Sequence, residues 1–141
     1  MINIEPLVAF FESMTPASVD AIGAYYASDA YFRDPFNEVR GEEKIRHVFG
    51  HMFEQVAEPR FKVTERIVAE NGAFLCWDFT FRFRPGGDPM TVHGASHLRF
   101  DPEGKVAYHC DYWDAAGELY AKVPVLGALM RLARRKLSAG Q

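Results

Sequence analysis

The stretch Phe74-Leu75-Cys76-Trp77-Asp78-Phe79-Thr80-Phe81-Arg82-Phe83 decides the fold. Trp77, Phe79, Phe81 and Phe83 alternate with Asp78, Thr80 and Arg82. That period of two puts rings on one face of a strand and polar groups on the other. Just upstream, Asn71-Gly72 is a two-residue hairpin signal, because both residues tolerate the positive φ that a tight turn demands. It joins the strand to an earlier one, from Arg60, in which Phe61, Val63 and Ile67 alternate with Lys62, Thr64 and Arg66. Downstream, Pro85-Gly86-Gly87-Asp88-Pro89 is a loop, and a third strand runs from about Met90 to Phe100. Asp101-Pro102-Glu103-Gly104 turns the chain into a last strand, from Lys105 to about Asp114. The reading is a four-stranded antiparallel meander.

Before Arg60 the period is helical. Leu7, Val8, Phe10, Phe11 and Met14 mark one helical face. Thr15-Pro16 restarts the chain, Thr as a cap and Pro at the first helical position. Val19, Ile22, Tyr25 and Tyr26 then predict a second helix to about Ser28. A short strand follows, Ala30 to Arg33, stopped by Asp34-Pro35. Gly41-Glu42-Glu43 opens a third helix whose buried face is Ile45, Val48, Phe49, Met52, Phe53 and Val56, and Pro59 follows its end. The order predicts an α+β domain, with three N-terminal helices segregated to one side of a curved antiparallel sheet. No repeat or linker interrupts it. The domain is expected over 1–118, with a helical extension over 119–141. In that extension, 115–121 reads as a short helix. From Pro124 an amphipathic helix carries Val125, Leu126, Leu129, Met130, Leu132, Ala133 and Leu137, with Arg131, Arg134, Arg135 and Lys136. The first expectation packs this helix on the domain, its cations complementing the C-terminal dipole. Contact with an anionic membrane surface is the second.

The composition bounds the function. The chain has 141 residues, 48% hydrophobic and 25% charged, as one soluble domain with a real core would. Twelve Phe, six Tyr and two Trp exceed what a small core needs and point to a lined cavity or an interface. A net charge of −3 gives no reason to expect nucleic acid. Cys76 and Cys110 are far apart and form no CxxC pair, so free thiols and a cytoplasmic location are expected. No apolar run is long enough to span a bilayer, and none reads as a signal peptide. Neither a metal nor a cofactor is expected. His47 and His51 have ligand spacing on one helix but lack a third ligand.

Two stretches interleave carboxylates with rings, Tyr31-Phe32-Arg33-Asp34-Pro35-Phe36 and His109-Cys110-Asp111-Tyr112-Trp113-Asp114. Rings build a dry wall, and a carboxylate against a dry wall can become a poised acid or base. Both stretches are expected to face one apolar pocket from opposite walls, with Asp34 and Asp111 as its acids. Asp34 could instead cap its own turn before Pro35. Alternation sets His109, Asp111 and Trp113 on one strand face. A mid-strand Asp needs a reason, either catalysis or a salt bridge to Arg66. His109 is a candidate base, or a structural histidine. Tyr26 and Tyr31 would offer hydroxyls; Trp77 and Phe53 would be wall or core. Asp78, Arg82, Arg84, His93 and His97 would face outward, where a homodimer could form.

The element order, with Ala24-Tyr25-Tyr26-Ala27-Ser28-Asp29-Ala30-Tyr31-Phe32-Arg33-Asp34-Pro35 and Arg40-Gly41-Glu42-Glu43-Lys44-Ile45, resembles the nuclear-transport-factor-2-like superfamily, in particular its SnoaL-like subgroup. The resemblance implies a cone-shaped fold, a sheet wrapped around a long helix with an apolar pocket inside. It implies isomerase, cyclase, dehydratase or epoxide-hydrolase chemistry, or a binding module without chemistry. Asp34-Pro35 matches the base of the ketosteroid isomerases, but the two oxyanion donors of those enzymes fall on Phe10 and Ser96. Thr64-Glu65-Arg66-Ile67-Val68 and Asp111-Tyr112-Trp113-Asp114 are similar to the limonene epoxide hydrolases. Arg66 and Asp111 would be kept there, while the water-activating Asp falls on Val68. SnoaL-like cyclases imply a single Asp as acid/base, which Asp34 or Asp111 could supply. The expected function is binding of a small apolar or aromatic molecule, with Asp34 as base and Asp111, His109 or Arg66 orienting it. Phe10, Tyr26, Tyr31, Phe36, Phe53, Trp77, Ser96 and Trp113 would be the pocket contacts.

Overall fold

Six strands form one open, curved sheet: β1 (Tyr26–Arg33), β2 (Glu38–Arg40), β3 (Ala57–Val68), β4 (Gly72–Arg82), β5 (Pro89–Phe100) and β6 (Val106–Trp113). Their order is β2-β1-β6-β5-β4-β3. The meander β3 to β6 is antiparallel throughout, while β1 joins β6 in parallel, with Phe32 opposite His109 and Arg33 opposite Cys110. The computed structural model describes residues 2–120 and 124–138. Helices α1 (Glu5–Glu12) and α3 (Glu42–Gln55) lie on one face of the sheet. The core fills the space between them, with Tyr26, Phe32, Ile22, Ile45, Leu75, Leu98 and Val106 its most deeply buried large side chains. Each such burial stabilises the fold by roughly 1.5–3 kcal/mol.

The expected second helix is shorter than its apolar spacing suggests. A capping box at Thr15 and Ser18 starts α2 (Pro16–Val19), a single 3-10 turn over Ile22–Ala24 follows, and the strand begins at Tyr26. Val19, Ile22 and Tyr26 are still buried. Their side chains meet the core equally well from a turn and a strand, and pairing with β6 supplies backbone hydrogen bonds, among them Val106 N–H to the Tyr25 carbonyl (2.8 Å). β2 is an additional strand, paired with β1 across the turn at Asp34. Between β2 and α3, Gly41 adopts φ 107°, a region open to glycine. β3 starts earlier than expected and contains Pro59, which is tolerated because β3 is the sheet edge and a bulge separates Ala57 from Arg60.

Beyond β6, Asp114 caps the one-turn helix α4 (Ala115–Glu118) by accepting from the Gly117 N–H (2.8 Å). The end of the expected short helix, residue 121, lies outside the described residues, as do 122 and 123. The last helix is α5 (Pro124–Leu137). No helix among the described residues is long and apolar enough to cross a membrane.

Candidate functional site

Strand alternation turns Tyr26 and Phe32 of β1, Trp77 of β4, Ser96 of β5 and His109 and Asp111 of β6 toward the helices. There they meet in one chain of hydrogen bonds. Trp77 Nε1 donates to Ser96 Oγ (2.9 Å). An indole N–H can only donate, so the Ser96 hydroxyl directs its own hydrogen to Asp111 Oδ1 (2.5 Å). From the other side, His109 Nε2 lies 2.6 Å from the same oxygen. An ionised carboxylate has no hydrogen to give, so Nε2 carries the proton. In a neutral ring this leaves Nδ1 bare, to accept from the Tyr26 hydroxyl (2.7 Å). Burial, aided by the charge of Asp111, pushes the Tyr26 phenol well above its ordinary value and keeps it a donor.

Every link is dry. His109 and Ser96 are 3% and 4% exposed, and the His109 ring is enclosed by Phe11, Phe32 and Phe49. Asp111 is the opening. Both donors reach Oδ1, and Oδ2 has no hydrogen-bond partner among the described residues. The carboxylate lines a partly open cavity of about 30 Å³, together with Phe11, Met14, Phe49, Phe61, Val63, Trp77, Ser96 and His109. Its other side meets an open groove formed by Arg33, Asp34, Pro35 and Cys110 to Asp114. Asp111 therefore faces both the ring-lined cavity and the outer groove.

Gly94 makes this arrangement possible. It lies opposite Trp77 across β4 and β5, and a Cβ there would fall 2.4 Å from the indole ring. Only a residue without a side chain lets the ring lie over the strand and bring Nε1 to Ser96.

The expected site residues divide. Asp111, His109, Trp77 and Ser96 line the cavity, and Tyr26 joins it through His109. The two acid-and-ring stretches run side by side on parallel strands, not on opposite walls. Asp34 is outside the cavity, in the turn between β1 and β2. Its Oδ1 accepts from the N–H groups of Phe36 (2.8 Å) and Asn37 (2.7 Å), and the Asn37 amide donates to both oxygens (3.1 Å each). Arg66 does not reach Asp111; it pairs with Glu5 of α1 (2.9 Å) near the surface, because its strand side faces the end of that helix. Phe10 is core, stacked on Tyr25 (4.4 Å), and its neighbour Phe11 faces the cavity instead. Tyr31 points outward, stacked on Tyr108 and donating to Glu38 (2.6 Å). Phe36 is exposed and meets Trp113 edge-on (5.6 Å) over the outer groove. Phe53 packs against the core without reaching the cavity. Met14, Phe49, Phe61 and Val63 are wall residues that alternation and helical spacing mark only as apolar.

Cys76 and Cys110 are free. His47 and His51 stack on each other at the surface, and among the described residues no cluster of His, Cys, Asp or Glu could hold a metal ion.

No curated protein matches this sequence. Solved structures share the fold at low identity. One is a hypothetical protein with a ketosteroid isomerase-like fold from Catenulispora acidiphila, in complex with trimethylamine, at 17% identity and TM-score 0.70, covering 82% of this chain and 88% of that one. A protein provisionally described as a SnoaL-like polyketide cyclase, from Shewanella denitrificans, matches at 19% identity and TM-score 0.69, covering 86% and 98%. An LEH-like epoxide hydrolase from M. tuberculosis matches at 16% identity and TM-score 0.69, covering 92% and 95%. The family model of the SnoaL-like domain matches residues 7–109, most of the folded core from α1 to His109, and the chain therefore belongs to the SnoaL-like family.

Proposed function

We propose that this protein binds a small, largely apolar molecule against the ring-lined cavity and moves a proton on it through Asp111. The observation that carries the reading is the convergence of Ser96 and His109 on one oxygen of Asp111, with the other oxygen left unpartnered among the described residues. Two fixed donors hold the carboxylate in one orientation, and a general base must be held so before it can act. His109 and Ser96 are the positioning residues, themselves held by Tyr26 and Trp77. The chemistry is of the isomerase, cyclase, dehydratase or epoxide-opening kind. In this reading the acid/base role implied for Asp34 passes to Asp111, and Asp34 orders its turn.

The cavity of about 30 Å³ has room for one or two water molecules. A drug-sized ligand needs at least about 300 Å³. Ligand entry therefore requires the half-buried Phe11, Met14 and Phe61 to swing outward. The small volume favours a second reading, a binding module whose Asp111 is structural. Turnover over a panel of epoxides and enolisable ketones separates the two. Asp111→Asn is expected to lower the rate by at least about 10²-fold, whereas Asp34→Asn leaves it nearly unchanged. An Asp111→Asn rate equal to wild type refutes the catalytic reading. Binding without turnover in the wild type establishes the module.

A homodimer through the outer sheet face belongs to the same proposal. Phe74, 45% exposed, stacks on His97 (4.5 Å), which meets Tyr108 (5.2 Å), which stacks on Tyr31 (5.3 Å). This band of rings crosses β4, β5, β6 and β1. In sedimentation velocity, Phe74→Glu is expected to convert a dimer to a monomer; identical sedimentation of the two proteins removes this interface.

A further inference from the structure

The last helix leans on the domain with its less apolar side. Gly127 is buried and Met130 half-buried, and the Arg134 guanidinium lies against Gly117 of α4. These three fall on one side of α5. The other side presents Val125, Leu129 and Leu132 at spacings of four and three, with Leu126 beside them, and their exposures are 74%, 54%, 49% and 40%. A helix packed on its own core would turn this row inward. The helix thus meets the domain with the side opposite to its apolar row, and a row of this length is left for something outside the domain.

Charge says what covers it. Arg131, Arg134, Arg135 and Lys136 sit in α5 with no acidic residue among them, in a chain whose net charge is −3. Four cations and no anion thus share a helix whose apolar row faces out, which complements an anionic surface. Lys136 also continues the Val125, Leu129, Leu132 row. In a seam between two copies of the helix it would bury an ammonium group against leucines. At a lipid surface it can extend its stem along the row and reach the phosphates.

We propose that α5 docks the protein on the surface of a bilayer rich in anionic lipid. Val125, Leu129 and Leu132 enter the boundary of the acyl chains, and Arg131, Arg135 and Lys136 meet the headgroup phosphates. The helix lies flat; at 14 residues it is about 21 Å long and does not span. The docking stands apart from the chemistry proposed for the cavity and does not depend on it.

Co-sedimentation of the full chain with vesicles tests this. Binding is expected to vesicles of mixed phosphatidylglycerol and phosphatidylcholine and to be absent with phosphatidylcholine alone. The surface double variant Leu129→Glu/Leu132→Glu should bind at least about tenfold more weakly, with an unchanged circular dichroism spectrum. Arg131→Glu/Arg135→Glu should weaken binding about as strongly, and salt at about 0.5 M should do the same to wild type by screening. Wild type remaining in the supernatant with anionic vesicles overturns the proposal, as does equal binding by the leucine variant. A concentration-dependent association that the leucine substitutions abolish, without vesicle binding, also overturns it and makes a second copy the occupant.

Discussion

Asp111 sits in mid-strand, where a carboxylate gains little from the backbone and must find its donors among side chains. It finds them in Ser96 and His109, each with a second partner behind it. Gly94 is the least conspicuous member of the set. Gly94→Ala is expected to displace the Trp77 indole, break its bond to Ser96 and cost about 1–3 kcal/mol. Urea unfolding measures the loss, and Trp77 fluorescence reports the displaced ring; unchanged values for both would show that the strand absorbs the methyl elsewhere. At this scale the sequence was half legible. Alternation puts His109 and Asp111 on one face, and the same rule turns Ser96 opposite to His93 and His97. Asp34 was left open between a pocket and a turn because an Asp before Pro is equally at home in either; the Asn37 amide, which claims both of its oxygens, has no signature in the pattern.

Element by element, α1 is the part that governs access to the cavity. It supplies Phe11 to the wall and is tied to edge strand β3 at two points. Glu5 pairs with Arg66, and Glu12 accepts from the Val63 N–H (2.9 Å) where the β3 register shifts. The second tie satisfies a backbone donor of the edge strand. Glu12→Ala is expected to leave that N–H without its partner, to destabilise the protein by about 1–2 kcal/mol and to speed amide exchange at Val63. Unaltered exchange would mean that water serves the group as well. The elements with long periodic patterns, α1, α3 and β3 to β6, were legible because one face of each is apolar throughout. The second helix was overread because apolar spacings of three and four also fit a turn running into a strand, and only pairing with β6 decides between them. The three-residue β2 is too short to carry a period.

The whole molecule sets a ring-filled interior, a banded outer sheet face and an exposed basic helix around one domain. The cavity wall could not be listed from the sequence because it depends on how α1 is rotated. One residue of rotation exchanges Phe10 for Phe11. The central claim, that hydrogen bonds run inward to a single oxygen of Asp111, has a direct test that requires no substrate. Nitrogen-15 NMR of the His109 ring reads which nitrogen carries hydrogen. The wild type should show hydrogen on Nε2 and an accepting Nδ1, with Nδ1 losing the accepted bond in Tyr26→Phe. A ring with hydrogen on Nδ1 alone would reverse the direction of the chain, leave Asp111 without its histidine donor, and contradict the account.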